Sequence, residues 1–386
     1  MQVARIEPLV LNVSAKTNWF FIRVTTGDGA TGLGEASLNG WETAQLAYIE
    51  TVSRELLGKR VEDALGLLRV YPHAPGGLIA SSVLSGIEQA ITDARARHAG
   101  VPLHASLGQP RRTRIPVYAN INRGARDRTP AGIARAAAEA VTAGFRAVKI
   151  APFDGVYWGD PAHADMRSRI DLGISRVYAI REAIGPDIGI MVDCHWRFDE
   201  ASALQVAREL APARLDWLEC PVSENPDGYA ALARVRDGVH ALGMKLAGAE
   251  RQIAAAGFRP YIDARLLDVV MPDVKYAGGY REMLDIAALC ERAGTAYSPH
   301  NPTGPVCNLA SMHLCAVAPA FLVLEHQLAE SPLYYDVVGG YRPRLVDGCF
   351  ELPDAPGLGI TLDDAVLKAH PYRPLAANAN LDPRLG

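Results

Sequence analysis

The chain has 386 residues, 49% of them hydrophobic and 21% charged, with a formal net charge of −4; this is the make-up of a globular protein long enough for one large domain and a smaller one. It has no run of basic residues, which argues against nucleic acid or an anionic membrane as a partner. No apolar run reaches the length of a membrane span, and Met1–Val13 lacks the basic-then-apolar order of a signal peptide.

Alternation over Ala4–Val13, Phe20–Thr25 and Thr31–Glu35, with Gly27-Asp28-Gly29 between the last two, predicts a short antiparallel meander rather than a phosphate cradle. Glu42–Leu57 and Ser81–His98 repeat apolar residues at three- and four-residue steps, the pattern of helices. Gly100 and Pro102 end the second. Residues 1–114 are therefore expected to form a small α+β domain. From Ile115 apolar strands alternate with Ala-rich helices such as Ala131–Ala143 and Ser202–Leu210. The strands are Ile115–Ala119, Ala147–Ile150, Ile188–Val192, Leu215–Leu218, Met244–Ala247, Leu266–Val270, Ala296–Ser298 and Phe321–Leu324. Such alternation argues a parallel sheet, and eight strands argue closure into a (β/α)₈ barrel over residues 115–355. Residues 356–386 read as loop, expected to return to the first domain. Cys194, Cys220, Cys290, Cys307 and Cys315 fall within or beside these elements, Cys349 lies near the end, and no pair has metal or redox spacing. They read as reduced thiols of a cytosolic protein.

Lys149, Asp193, Glu219, Glu250, Asp273, His300 and Glu325 recur at the strand ends, the last six 23 to 31 residues apart, against roughly 31 per barrel unit. Catalytic residues of barrels sit at the C-terminal strand ends, so the row converges on one mouth. Asp193 closes Ile-Met-Val-Asp, Glu219 closes Trp-Leu-Glu and Glu250 closes Ala-Gly-Ala-Glu. Any one of these acids alone reads more readily as a helix N-cap. Three in register repel strongly unless a cation joins them, and an all-oxygen ligand set suits a hard ion such as Mg²⁺.

These acids occur with the Gly-Asp-Gly meander, the helix from Ile87 ending in Gly-Val-Pro-Leu, the Gly144–Lys149 strand and Ser298-Pro-His-Asn-Pro-Thr-Gly-Pro305. With them the chain resembles the enolase superfamily, and within it the mandelate racemase-like group, over nearly its whole length. The resemblance implies a capping α+β domain over a modified (β/α)₈ barrel, with Mg²⁺ held by Asp193, Glu219 and Glu250. It implies removal of the proton α to a substrate carboxylate by His300, whose other ring nitrogen Asp273 would hold. A neutral histidine suits that task at physiological pH. The family habit of even-numbered assemblies implies a homo-oligomer.

One departure matters. Racemases of the group carry Lys-x-Lys on the second strand; here Lys149 matches the first and Ala151 stands at the second. Alanine cannot transfer a proton, so Lys149 is left to neutralise or orient the substrate carboxylate. His195, two residues past Asp193, would point the same way on an extended strand. It resembles the Asp-x-His of sugar-acid dehydratases of the galactonate and mannonate type, where the histidine is the general acid; the plainer reading is a hydrogen bonder to a ligand. Glu325, in Leu-Glu-His-Gln, would bind the substrate carboxylate or support the dyad. For substrate contacts the candidates are Trp19, Asn39 and Trp41 from capping loops, Asn120, Asn122 and Arg123 after the first barrel strand, and Tyr157 with Trp158 after the second. Tyr157 is also an alternative acid or base, and each of these reads equally as packing on its own domain. The expectation is a Mg²⁺-dependent dehydratase of a polyhydroxy carboxylate, a hydro-lyase yielding a 2-keto-3-deoxy acid. A racemase, epimerase or cycloisomerase is the alternative, and a non-catalytic binding protein a more distant one.

Overall fold

The structure, a computed structural model, describes residues 1–71, 77–156 and 165–375. Its first layer is the meander β1 (Val3–Ser14), β2 (Thr17–Thr26) and β3 (Thr31–Glu35). Packed on it are helices α1 (Glu42–Leu56) and α3 (Gly77–His98), with α2 (Val61–Val70) against α3. The glycines of β3 permit that packing: a Cβ on Gly32 would stand 2.0 Å from the Ala90 carbonyl oxygen, and one on Gly34 2.0 Å from that of Gly86. Val3, Phe20, Ile22, Ile49, Leu84 and Ile87 form the separate core of this cap.

A short helix, α4 (Leu103–Leu107), leads to the barrel. Its strands are β4 (Arg114–Asn120), β5 (Ala147–Ile150), β6 (Gly189–Asp193), β7 (Trp217–Glu219), β8 (Lys245–Gly248), β9 (Val269–Val270), β10 (Ala296–Tyr297) and β11 (Leu324–Gln327). They pair in parallel from β4 to β10, and β11 closes the ring on β4. The last gap is bridged by Tyr297 and Phe321. Between the strands run α5 (Pro130–Thr142), α6 (Met166–Ile184), α7 (Glu200–Leu210), α8 (Tyr229–Ala241), α9 (Ala254–Asp263), α10 (Val274–Ala277), α11 (Tyr280–Ala293) and α12 (Pro305–Val317). Side-chain oxygens start several of them: Thr129 accepts the Gly132 N–H at α5, with Pro130 in the first turn, and Asp199 that of Ser202 at α7.

The two-residue strand period sorts the barrel. Val148, Ile150, Ile190, Val192, Leu218 and Leu246 belong to the large core between sheet and helices. Tyr118, Met191, Trp217, Ala247 and Val269 form a second cluster inside the ring. Two residues beyond Tyr118, Met191 and Trp217, on the same faces, lie Asn120, Asp193 and Glu219. The lumen is thus packed below and polar at its C-terminal mouth, as in other barrels of this kind.

Cap and barrel are joined by buried polar contacts. Glu35 is fully enclosed; one oxygen accepts the Thr303 hydroxyl at 2.7 Å and the Gly304 N–H at 2.9 Å, the other the Cys307 N–H at 2.9 Å. From α3, the Ser81 hydroxyl donates to the Tyr276 carbonyl at 2.5 Å and the Ser85 hydroxyl to that of Val274. Thr17, the first residue of β2, donates to Glu330 at 2.5 Å, and Glu330 also takes Arg123 at 3.1 Å and 3.3 Å. Residues 364–371 lie against β1 and β2, with Leu11 bridged to Pro371 and Arg23 on Asp364.

Two sequence expectations change. The last barrel strand is Leu324–Gln327 rather than Phe321–Leu324; Phe321 makes only an isolated bridge and Leu322 is 38% exposed, so the apolar run precedes the pairing. The tail, read as loop, holds a strand, Ile360–Leu362, and a helix, Asp364–Ala369, capped by Asp363. Among the described residues no helix is long and apolar enough to cross a membrane.

His326 on β11 sits in an aromatic box, stacked on Phe145 at 5.9 Å and edge-on to Phe350 and Tyr334 at 5.0 Å and 5.7 Å. Burial pushes its pKa down to about 4, against about 6.5 for an unfolded histidine. Between those values the folded state binds fewer protons than the unfolded chain. The ring's contribution is therefore complete above about pH 6.5 and lost as pH falls toward 4. Glu88 and Glu224, pushed up by burial to about 7, act in the opposite direction, so the informative quantity is a difference. Below about pH 6, His326→Phe should gain on the unaltered protein by up to ~1.4 kcal/mol per pH unit, read from urea midpoints. Parallel pH profiles would refute this.

Candidate active site

Asp193 and Glu219 end β6 and β7, and Glu250 follows β8 by two residues. One oxygen from each lies within 4.8 Å of the other two, and all three side chains are buried. Burial pushes Glu219 up to about 8 although Lys149 Nζ lies 2.7 Å from Oε1. Burial, with the charges of Asp193 and Glu219, pushes Glu250 well above the carboxylate range. Burial opposes the charge on Asp193 as well, but His195 outweighs it and holds the group ionised. Three such groups cannot all carry charge in a closed pocket without a cation. Glu250 Oε2 is buried with no hydrogen-bond donor among the described residues; His300 Nε2, 3.3 Å away, does not reach hydrogen-bond geometry. The hard, all-oxygen donor set and the unsatisfied oxygen fit Mg²⁺.

Lys149 is buried between two carboxylates, Glu219 Oε1 at 2.7 Å and Glu325 Oε1 at 2.8 Å. Glu325 is the second residue of β11 and both its oxygens are engaged: Oε1 also accepts the Asn120 amide at 2.7 Å, and Oε2 accepts the Asn301 N–H at 2.7 Å. Burial would raise its pKa, but Lys149 and His300 outweigh that and hold it low. Glu325 thus lies beneath the floor of the cavity and supports Lys149 and Asn120.

Across the mouth from β6, His300 Nδ1 lies 2.8 Å from Asp273 Oδ2. The ring is 12% exposed at its side chain, and burial keeps its pKa below the usual value despite Asp273. A neutral ring with Nδ1 on a carboxylate carries its proton there, leaving Nε2 bare toward the acidic cluster. His195 does not stand on an extended strand as expected. β6 ends at Asp193, and His195 has φ 47°. The turn still joins them: the His195 N–H donates to Asp193 Oδ1 at 2.9 Å, and Nε2 lies 2.8 Å from Oδ2.

These groups open into a cavity of about 1400 Å³ lined by Asn120, Asn122, Arg123, Lys149, Ala151, Asp193, His195, Glu250 and His300. The cap adds Trp19, Asn39 and Trp41. Trp19 is buried, edge-on to Tyr334 at 5.9 Å, whereas Trp41 is 41% exposed. Asn122 is occupied by Arg128, whose Nη1 reaches its Oδ1 at 2.9 Å, and Arg123 by Glu330. Ala151 lines the wall where a second lysine would stand. Tyr157 and Trp158 lie outside the described residues.

Sequence reasoning passed over Lys275, Asn301 and Glu330. Lys275 lines the cavity and bonds to Asp273; its signal was proximity, two residues from a singled-out acid. Asn301 adjoins His300 but acts through its N–H on Glu325, which no residue type announces.

Family models match most of the chain. The one described as enolase C-terminal domain-like covers residues 132–366, and the mandelate racemase/muconate lactonizing enzyme N-terminal domain covers residues 2–108. The D-gluconate dehydratase of Thermoproteus tenax is 29% identical over 383 residues, 96% of this chain and 74% of that protein. The D-xylonate dehydratase of Haloferax volcanii is 30% identical, over 91% of this chain and 85% of that protein. Among solved structures, a mandelate racemase/muconate lactonizing enzyme-like protein from Rubrobacter xylanophilus superposes with a TM-score of 0.86 at 30% identity. That match covers 97% of this chain and 98% of the other.

Proposed function

The chain belongs to the mandelate racemase/muconate lactonizing enzyme group of the enolase superfamily, and on that footing we propose that it dehydrates a sugar acid. Asp193, Glu219 and Glu250 would hold Mg²⁺. Bound there, the ion supplies positive charge against the second negative charge that forms on the substrate carboxylate when the α-proton leaves. His300 Nε2 takes that proton, with Asp273 fixing the tautomer. Lys149 adds a cation to the floor of the mouth. The bond from the β-carbon to its hydroxyl oxygen then breaks, and His195 gives a proton to the departing hydroxyl, which leaves as water. The enol that remains tautomerises to a 2-keto-3-deoxy acid.

One observation carries this choice over racemisation: two histidines, His300 and His195, face one cavity whose β5 wall ends in Ala151. The wall opposite His300 thus has a proton donor beside the acidic cluster and no base at the second lysine position. The similarity to dehydratases of gluconate and xylonate points the same way.

The test is incubation of the Mg²⁺-loaded protein with a panel of sugar acids. At least one should yield a keto acid that reacts with semicarbazide. Recovered substrate carrying solvent deuterium at the α-carbon, with no keto acid, would make the protein an epimerase or racemase instead.

A further inference from the structure

Asp273 orients His300, and among the described residues Lys275 is the one that fixes Asp273. Its carboxylate is fully buried. Oδ1 accepts the Lys275 backbone N–H at 2.8 Å. Oδ2 accepts two donors, Lys275 Nζ at 2.8 Å and His300 Nδ1 at 2.8 Å. Apart from the histidine, both contacts that hold the carboxylate among the described residues come from Lys275. The lysine is buried as well, its ammonium 5.0 Å from the Tyr276 ring. The cap steadies the backbone around it, since Ser85 and Ser81 bond to the carbonyls of Val274 and Tyr276. Helix α10 has only four residues, too few to anchor its first turn by its own length.

The terminal torsion of an aspartate is broad, so a carboxylate held by one backbone N–H can turn. A second, charged donor on the other oxygen stops that rotation and sets the line along which the imidazole must point. It also balances a buried negative charge that one neutral ring cannot balance. We propose that Lys275 is the positioning residue of His300: its ammonium locks Asp273 so that the imidazole presents Nε2 to the cavity at a fixed angle. This rests on the reading of His300 as the base. Because Lys275 also lines the cavity, the rival role is direct contact with substrate.

The experiment compares full-length, Mg²⁺-loaded wild type with Lys275→Met and Lys275→Arg. A misplaced base should cost kcat about 10- to 100-fold in Lys275→Met, with KM within about threefold, and Lys275→Arg should recover most of the rate. Imidazole ¹⁵N–¹H spectra without substrate give an independent arm, the His300 signal being identified by its loss in His300→Asn. The Nδ1–H signal should be sharp in wild type and in Lys275→Arg, and shifted or exchange-broadened in Lys275→Met. A raised KM with kcat retained would overturn positioning in favour of substrate contact, and an unchanged His300 signal would overturn it outright. If Lys275→Met does not fold, as thermal melting would reveal, Lys275→Gln takes its place against the same outcomes. If wild type yields no keto acid from any sugar acid, the dehydratase reading fails while the spectra still decide the role of Lys275.

Discussion

His300→Asn should fold, take up Mg²⁺ as the unaltered protein does, and form keto acid ~10²- to 10⁴-fold more slowly, the usual span for loss of a general base. The substitution is informative because it keeps most of the ring's contacts. The asparagine amide can still donate to Asp273, which in the native site receives His300 Nδ1 at 2.8 Å, so the buried carboxylate is not stripped of its partner. What the variant lacks is a basic nitrogen where Nε2 faces the acidic cluster. The loss should fall on kcat, with KM little altered, because Lys149 and the Mg²⁺ that the acidic cluster would hold remain to bind the carboxylate. Full activity in this variant would remove His300 from the reaction.

The second large effect concerns the cluster itself. Stripping Mg²⁺ with a chelator should abolish turnover, and restoring it should raise the melting temperature. Saturation at a hundredfold above Kd corresponds to about 2.7 kcal/mol of stabilisation. Glu250→Gln should lose both responses. In the metal-free state its expected sign is reversed. Burial and its two acidic neighbours push Glu250 well above the carboxylate range, and a neutral amide ends that repulsion. Metal-free Glu250→Gln should therefore be at least as stable as the metal-free parent at about pH 8, a pH at which a carboxylate there is driven toward its costly charged form. A Mg²⁺-dependent rise in melting temperature equal to that of wild type would show that the ion does not bind at Glu250.

Much of this site is legible from the sequence because of how parallel strands read. Buried on both faces, they appear as unbroken apolar runs, so an acid at the end of one stands out. The period of two then places Asp193 and Glu219 above the inward-facing Met191 and Trp217. The reading weakened where the backbone leaves the strand. By its spacing His195 belongs to an extended segment, but it reaches Asp193 through a positive-φ turn, and no residue type there forecasts the bend. It also weakened where partners are remote. Glu35 meets the Thr303 hydroxyl across 268 positions, and Thr17 meets Glu330 across 313. A lone acid in Thr-Gly-Leu-Gly-Glu looks like any strand-end residue until the barrel loop folds over it. Lys275 escaped notice for a third reason: a helix of four residues has no periodicity from which a buried lysine could be told from a solvated one.

The Glu35 junction also bears on how such enzymes are recombined. Because the cap supplies Trp19, Asn39 and Trp41 to the cavity wall, exchanging caps between relatives looks like a direct route to new specificity. Yet Glu35 is a buried carboxyl group whose donors from beyond the cap, Thr303, Gly304 and Cys307, all lie on the barrel segment that follows His300. A hybrid that joined this cap to a barrel without those donors would leave the buried Glu35 carboxyl group without its barrel partners, a few residues from the proposed base, with the cap's own Ser37 hydroxyl still donating at 2.8 Å. Cap and barrel are therefore a matched pair, and a graft that respects the chemistry has to carry the 303–307 segment together with the cap.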